Sequence, residues 1–137
     1  MDSKPDQLLS QVKQAPTKVD EQAGLLLTNA EGQMATVMLS LHSKQPKRGM
    51  VSCEKGYIEV MEYPRAWEAK ITYTDSEKTE LIKGGENADA LAYELADMEK
   101  AINGDPSCMH LDYTKDVMDM MTEFRKSWGF TYPEEEK

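Results

Sequence analysis

The chain has 137 residues, of which 39% are hydrophobic and 30% charged, and its net charge is −9. That size and mixture suit one globular domain whose core needs no disulfide scaffold. The acidic balance argues against a nucleic-acid binder, which carries a basic face, and no run of about 18 apolar residues offers a membrane span.

The N-terminus, Met1-Asp2-Ser3-Lys4-Pro5, has no basic region followed by an apolar one. No signal peptide is expected, and the cytoplasm is the expected compartment. Residues 1–18 read as an N-terminal extension or edge element. Its first six residues read as a frayed end, and Gln7 to Gln14 as either a short helix or an edge strand. Ala23 to Thr28 is a short apolar run, followed by the polar loop Asn29-Ala30-Glu31-Gly32. Gln33 to Ser43 then alternates, which predicts the second arm of a hairpin. Met34, Thr36, Met38, Ser40 and His42 share one side of it. That side is too polar for a core and too apolar for a solvated face, so it is the expected subunit interface.

Gln45 to Arg48 reads as a turn. Strands are expected at Met50 to Cys53, Tyr57 to Tyr63, Trp67 to Thr74 and Thr79 to Lys83. The total is six or seven strands at the spacing of an antiparallel meander. Gly84-Gly85 ends the sheet. Asn87 or Asp89 is placed to cap a helix running to about Asn103, where Gly104 supplies a left-handed stop. Thr114 is the expected cap of a second helix ending near Ser127, before Gly129. The fold class is therefore α+β: an open, mostly antiparallel sheet with two C-terminal helices packed on one face. The domain spans residues 19–133, and 134–137 form a loose acidic tail.

Few residues suggest chemistry. Cys53 and Cys108 form no Cys-x-x-Cys pair. His42 and His110 have no ligand-spaced partners, so no metal site is expected. Gly84-Gly85 precedes a helix but lacks the spaced glycines of a dinucleotide loop. Ser40 with His42, or Glu94 with Asp97, would make the only acid–base pairs, and both read more simply as surface residues. No catalytic residue is assigned.

Three stretches together resemble a known family. Lys55-Gly56-Tyr57-Ile58-Glu59-Val60 resembles a "G-T-K-G-x-I-x-V" strand pair. Leu91 to Ile102, containing Tyr93-Glu94 and Ala101-Ile102, is similar to a "Y-E-x-x-x-x-x-x-A-I" helix. Asp116 through Arg125 to Trp128-Gly129-Phe130-Thr131-Tyr132-Pro133 is similar to "D-x-M-x-x-x-R-x-x-x-G-x-x-Y-P". In this order they resemble the C-terminal α/β domain of the Gfo/Idh/MocA oxidoreductases, in the trans-1,2-dihydrobenzene-1,2-diol dehydrogenase-like branch.

The resemblance implies the substrate-binding and oligomerisation domain of an NAD(P)-dependent sugar or diol oxidoreductase. It implies a homodimer through the open sheet face. It also implies that Arg65 and Trp67, in the loop Pro64 to Trp67, and Asn87, after Gly84, approach substrate. The simpler reading of Trp67 is a sheet residue packed in the core or an interface. The family's NAD or NADP is held by an N-terminal Rossmann domain, of which these 137 residues carry neither the glycine-rich turn, nor the Glu-Lys-Pro segment of the catalytic lysine, nor the Asp-x-x-x-His helix. The expectation is a domain cut from a longer enzyme and inactive alone. The alternative is a stand-alone small-molecule or protein-binding module.

Overall fold

The computed structural model describes residues 1–135; Glu136 and Lys137 of the acidic tail lie outside the described residues. Seven strands precede two helices: β1 (Gln7–Gln14), β2 (Asp20–Thr28), β3 (Met34–Ser40), β4 (Arg48–Cys53), β5 (Gly56–Met61), β6 (Glu68–Tyr73), β7 (Thr79–Lys83), α1 (Ala90–Ile102) and α2 (Leu111–Ser127). The class is α+β with antiparallel pairing throughout.

The strands do not form the single sheet expected. They divide into a three-stranded sheet, β1-β2-β3, and a four-stranded sheet, β4-β5-β6-β7. The break falls after β3 for a local reason. Ser40 Oγ accepts from the backbone N–H of His42 at 3.2 Å and of Ser43 at 3.0 Å. Side-chain bonds of this kind offer the backbone an alternative to a ladder, and Pro46 has no N–H to give one. Strand alternation is the same for one sheet or two, so the sequence pattern could not separate them. The chain accordingly forms two compact units: Met1–Lys44 with the segment from His110 onward, and Gln45–Met109.

In the first unit α2 packs against the three-stranded sheet. Register places Leu8, Ser10 and Val12 on the same side as Ala23, Leu25 and Leu27 and as Ala35, Val37 and Leu39. Ala23, Leu27 and Phe124 are buried. Trp128 Nε1 donates to Ser10 Oγ at 2.9 Å, and Gln14 Nε2 donates to the Trp128 carbonyl at 3.0 Å. Phe124 and Trp128 stack with ring centres 6.0 Å apart. Of the two readings open for Gln7–Gln14, the strand is the one formed.

The first residues, and Glu135 at the other end of the described chain, are more firmly held than expected. Asp6 N–H donates to the Thr28 carbonyl at 3.1 Å, and Lys4 pairs with Asp119 at 3.0 Å. Arg125 grips Glu135 through both guanidinium NH groups, at 2.6 and 2.8 Å, and also donates to the Phe130 carbonyl. This bidentate pair ties down the start of the tail.

The second unit is a four-stranded meander followed by a 3-10 turn, Asn87–Asp89, and then α1. The two helices therefore do not share one sheet face: α2 belongs to the first unit, and no side chain of α1 is buried. The helix stops follow the glycines. At Gly104 (φ 97) and Gly129 (φ 70), paired backbone bonds close each helix: Gly104 N to Ala101 O with Asp105 N to Lys100 O, and Gly129 N to Lys126 O with Phe130 N to Arg125 O. This is the Schellman arrangement, in which glycine takes the left-handed position without a Cβ penalty. The start of α1 falls where expected and that of α2 does not. Asp89 stands at the cap of α1 without a side-chain bond. α2 begins at Leu111, so Thr114 lies inside it and its hydroxyl donates back to the His110 carbonyl at 3.3 Å.

Candidate functional site

The first candidate surface is the side of the three-stranded sheet opposite α2. Register places Gln7, Leu9, Gln11 and Lys13 of β1 beside Thr28, Leu26, Gly24 and Gln22 of β2, and these beside Met34, Thr36, Met38 and Ser40 of β3. Met34 and Met38 are 65% and 66% exposed, and Thr36 is exposed between them. The Met38 thioether lies over Gly24, where an added Cβ would approach its sulfur to 3.2 Å. Gly24 thus leaves room for a flexible, polarisable side chain in the middle of the face. Lys13 is the only charged residue in this register set, which limits the cost of desolvating the face.

His42 is not part of that ladder. It follows the Ser40 turn, and its Nε2 lies 3.6 Å from Glu21 Oε1. Lys13 Nζ reaches the same oxygen at 2.5 Å. The hydrogen bond from Lys13 and the charge of His42 hold the Glu21 carboxyl below its ordinary range, against the opposing effect of burial. Ser40 and His42 are tied by a backbone bond to the serine oxygen and not by a nucleophile–base contact. Beside this cluster a recess of about 370 Å3 opens between Val19, Ala23, Leu39 and Leu41.

The second candidate lies on the four-stranded sheet. A shallow recess of about 240 Å3 is lined by Val60, Ala66, Trp67, Ala69 and Ile82, with Gly84 at its edge. Trp67 is 42% exposed, and its indole face carries the Lys83 ammonium 5.3 Å from the ring centre, a cation–π contact. The loop before it is bent sharply: Glu62 takes a left-handed φ of 52°, its N–H donates to the Lys47 carbonyl, and Arg65 N–H donates to the Glu62 carbonyl at 2.9 Å. Arg65 and Asn87 sit on two separate 3-10 turns. Among the described residues their side chains make no hydrogen bond or ion pair, and neither lines the Trp67 recess. Lys83 was missed from the sequence. Its place beside Trp67 follows from the pairing of β7 with β6, where Lys83 stands opposite Glu68, a non-local register that the sequence pattern does not carry.

No acid–base constellation assembles. Glu94 and Asp97 lie on exposed turns of α1, where Asp97 is engaged by Lys100 at 2.9 Å. Among the described residues no three His, Cys, Asp or Glu side chains converge as metal ligands, and no helix is long and apolar enough to cross a membrane. Comparison with protein-family models finds no match, and neither does comparison with curated proteins.

Proposed function

We propose that this chain is a substrate-binding and oligomerisation domain of a cytoplasmic NAD(P)-dependent sugar or diol oxidoreductase of the Gfo/Idh/MocA type, inactive without a partner Rossmann domain. The observation that carries the reading is the bare side of the three-stranded sheet. α2 covers one face, and the other presents Met34, Thr36 and Met38 with little charge, as a homodimer interface requires. The Trp67 recess, with Lys83 over the indole, is the surface on which a sugar or diol would stack. Arg65 adjoins Ala66 of the recess lining, and neither it nor Asn87 lines the recess itself. Two exposed free thiols, Cys53 and Cys108, suit a reducing compartment.

The dinucleotide itself does not fit this chain. Such a site needs parallel strands and a glycine-rich turn opening a helix at a switch point, whereas every strand pair here is antiparallel. NAD(P) is therefore assigned to the Rossmann partner, and the isolated chain is expected to give no heat on titration with either nucleotide.

The interface is tested by Met38→Lys, which places a charge at the centre of the bare face. In sedimentation the variant is expected to have a lower mass than the wild type, with unchanged circular dichroism. Equal masses would remove this face as the interface. The recess at Val19, Ala23, Leu39 and Leu41 favours a second reading, a stand-alone small-molecule module. Ligand-induced shifts confined to these residues, with no dependence on Trp67, would support it.

A further inference from the structure

The second unit has two amphipathic surfaces and no buried side chain; Gly56 is its only buried residue. The first surface is a face of the four-stranded sheet. Register aligns Val51, Ile58 and Ile71 across three strands, and alternation puts Val60, Ala69 and Ile82 on the same face. The opposite face carries Glu59 against Lys70 and the Arg48–Glu59 ion pair, so it suits water. The second surface is the stripe Leu91, Leu95, Met98 and Ile102 on α1, between 55% and 78% exposed. These residues follow one another at intervals of four, three and four, so they share one side of the helix.

The two surfaces match in size. The stripe runs for about 16 Å, and four strands span about 14 Å. They also meet without net repulsion, although the whole chain is at −9. Gln45–Lys83 holds seven basic and seven acidic residues, and Asp89, Glu94, Asp97 and Glu99 on the helical segment face one Lys100.

We infer that α1 docks on the apolar sheet face of a second copy, which returns its own α1 in exchange. The connection between β7 and α1 points to exchange over self-closure. It is six residues long, 84–89, the last three wound into the 3-10 turn, and its first half is pinned. The Tyr93 hydroxyl accepts from Glu86 N–H at 3.1 Å. The Tyr93 ring lies so close over Gly85 that a Cβ there would meet it at 3.1 Å. Gly84 N–H is held by the Trp67 carbonyl. Closure onto the chain's own sheet would have to break this clamp, whereas a second copy can take up α1 with the clamp intact. Two reciprocal helix footprints bury on the order of 1,000 Å2, the lower bound for a specific interface. The exchanged helix also lies over Val60, Ala69 and Ile82, and so walls the Trp67 recess.

The inference is independent of the three-stranded sheet. Its test uses the full chain with Cys53→Ser and Cys108→Ser. One preparation carries Leu95→Cys, and others carry Val51→Cys or Ile82→Cys. Mixing Leu95→Cys with either of the others under mild oxidation is expected to give a disulfide-linked pair of unlike copies, and Met38→Lys is expected not to reduce its yield. A cross-link that forms only inside a chain carrying both Leu95→Cys and Ile82→Cys, prepared as a control, overturns the exchange, as does no cross-link between copies at any concentration. In a Trp128→Phe background, Trp67 emission is expected to shift to the blue as concentration rises, and Leu95→Glu is expected to abolish that shift. A concentration-independent spectrum contradicts the proposal.

Discussion

At the residue scale, Glu21 shows how one carboxylate organises a surface that the sequence leaves blank. Lys13, Glu21 and His42 are widely spaced in sequence. They meet because Lys13 on β1 and the turn after β3 both lie beside the start of β2. Glu21 has its pKa depressed chiefly by the Lys13 hydrogen bond, so its contribution to stability has a definite sign. A carboxyl whose folded pKa lies below its unfolded value stabilises the fold above the unfolded pKa of about 4.3, and that contribution is lost as pH falls through the folded one. Removing Lys13 removes the main cause of the shift. Urea midpoints measured from pH 7 down to pH 3 are therefore expected to fall more steeply for the wild type than for Lys13→Met. Parallel curves would mean that this contact does not persist in solution. The other sequence-predicted residues divide by chemistry. Met34, Thr36 and Met38 were readable because alternation fixes which side chains share a face. Arg65 and Asn87 rested on family likeness, and among the described residues their side chains make no hydrogen bond or ion pair.

At the element scale, glycines proved the most legible residues and strand partnership the least. Gly104 and Gly129 stop both helices where their placement predicts, because a left-handed residue is a local requirement. Whether β3 pairs with β4 is a non-local question that a period-two pattern cannot answer. The Ser40 turn decided it. Helix starts were legible in part: Asp89 stands at the cap of α1 as expected, though its side chain makes no capping bond, whereas α2 starts before Thr114. Gly56, within the Lys-Gly-Tyr-Ile motif, has a physical meaning that motif matching alone does not supply. A Cβ at this position would lie 2.2 Å from the Thr72 carbonyl oxygen, which is backbone and cannot swing away. Gly56→Ala must push β5 and β6 apart. It is expected to cost at least about 1–3 kcal/mol, measured as a lower urea midpoint. Ser52→Ala, on the neighbouring β4 and exposed, is expected to fall within about 0.5 kcal/mol of the wild type. A Gly56→Ala midpoint equal to that of Ser52→Ala would show that the β5–β6 contact is looser than described.

At the scale of the whole molecule, the chain exposes 11100 Å2. Even two separate globules of half its mass would expose only roughly 8,700 Å2 by the scaling of monomeric proteins. The exposed side chains include large apolar ones: Met34 and Met38 on one sheet, Val51 and Ile82 on the other, and the α1 stripe. Marginal stability of a few kcal/mol leaves little margin for apolar surface held in water, so folding and association are expected to be linked. Linkage makes a quantitative demand. If association stabilises the folded chain and not the unfolded one, the thermal midpoint must rise with protein concentration. For a single unit that folds alone it does not move. Raising the concentration a hundredfold is expected to stabilise an associating chain by about 2.7 kcal/mol per mole of assembly partner bound. With roughly 2–8 °C of midpoint shift per kcal/mol for domains of this range, the rise is at least several degrees. Met38→Lys and Leu95→Glu should each reduce the rise, because they act on different sheets and their effects are independent. The double variant should abolish it. A midpoint that stays constant over the whole concentration range would mean that the exposed faces are covered by a different protein and not by copies of this chain.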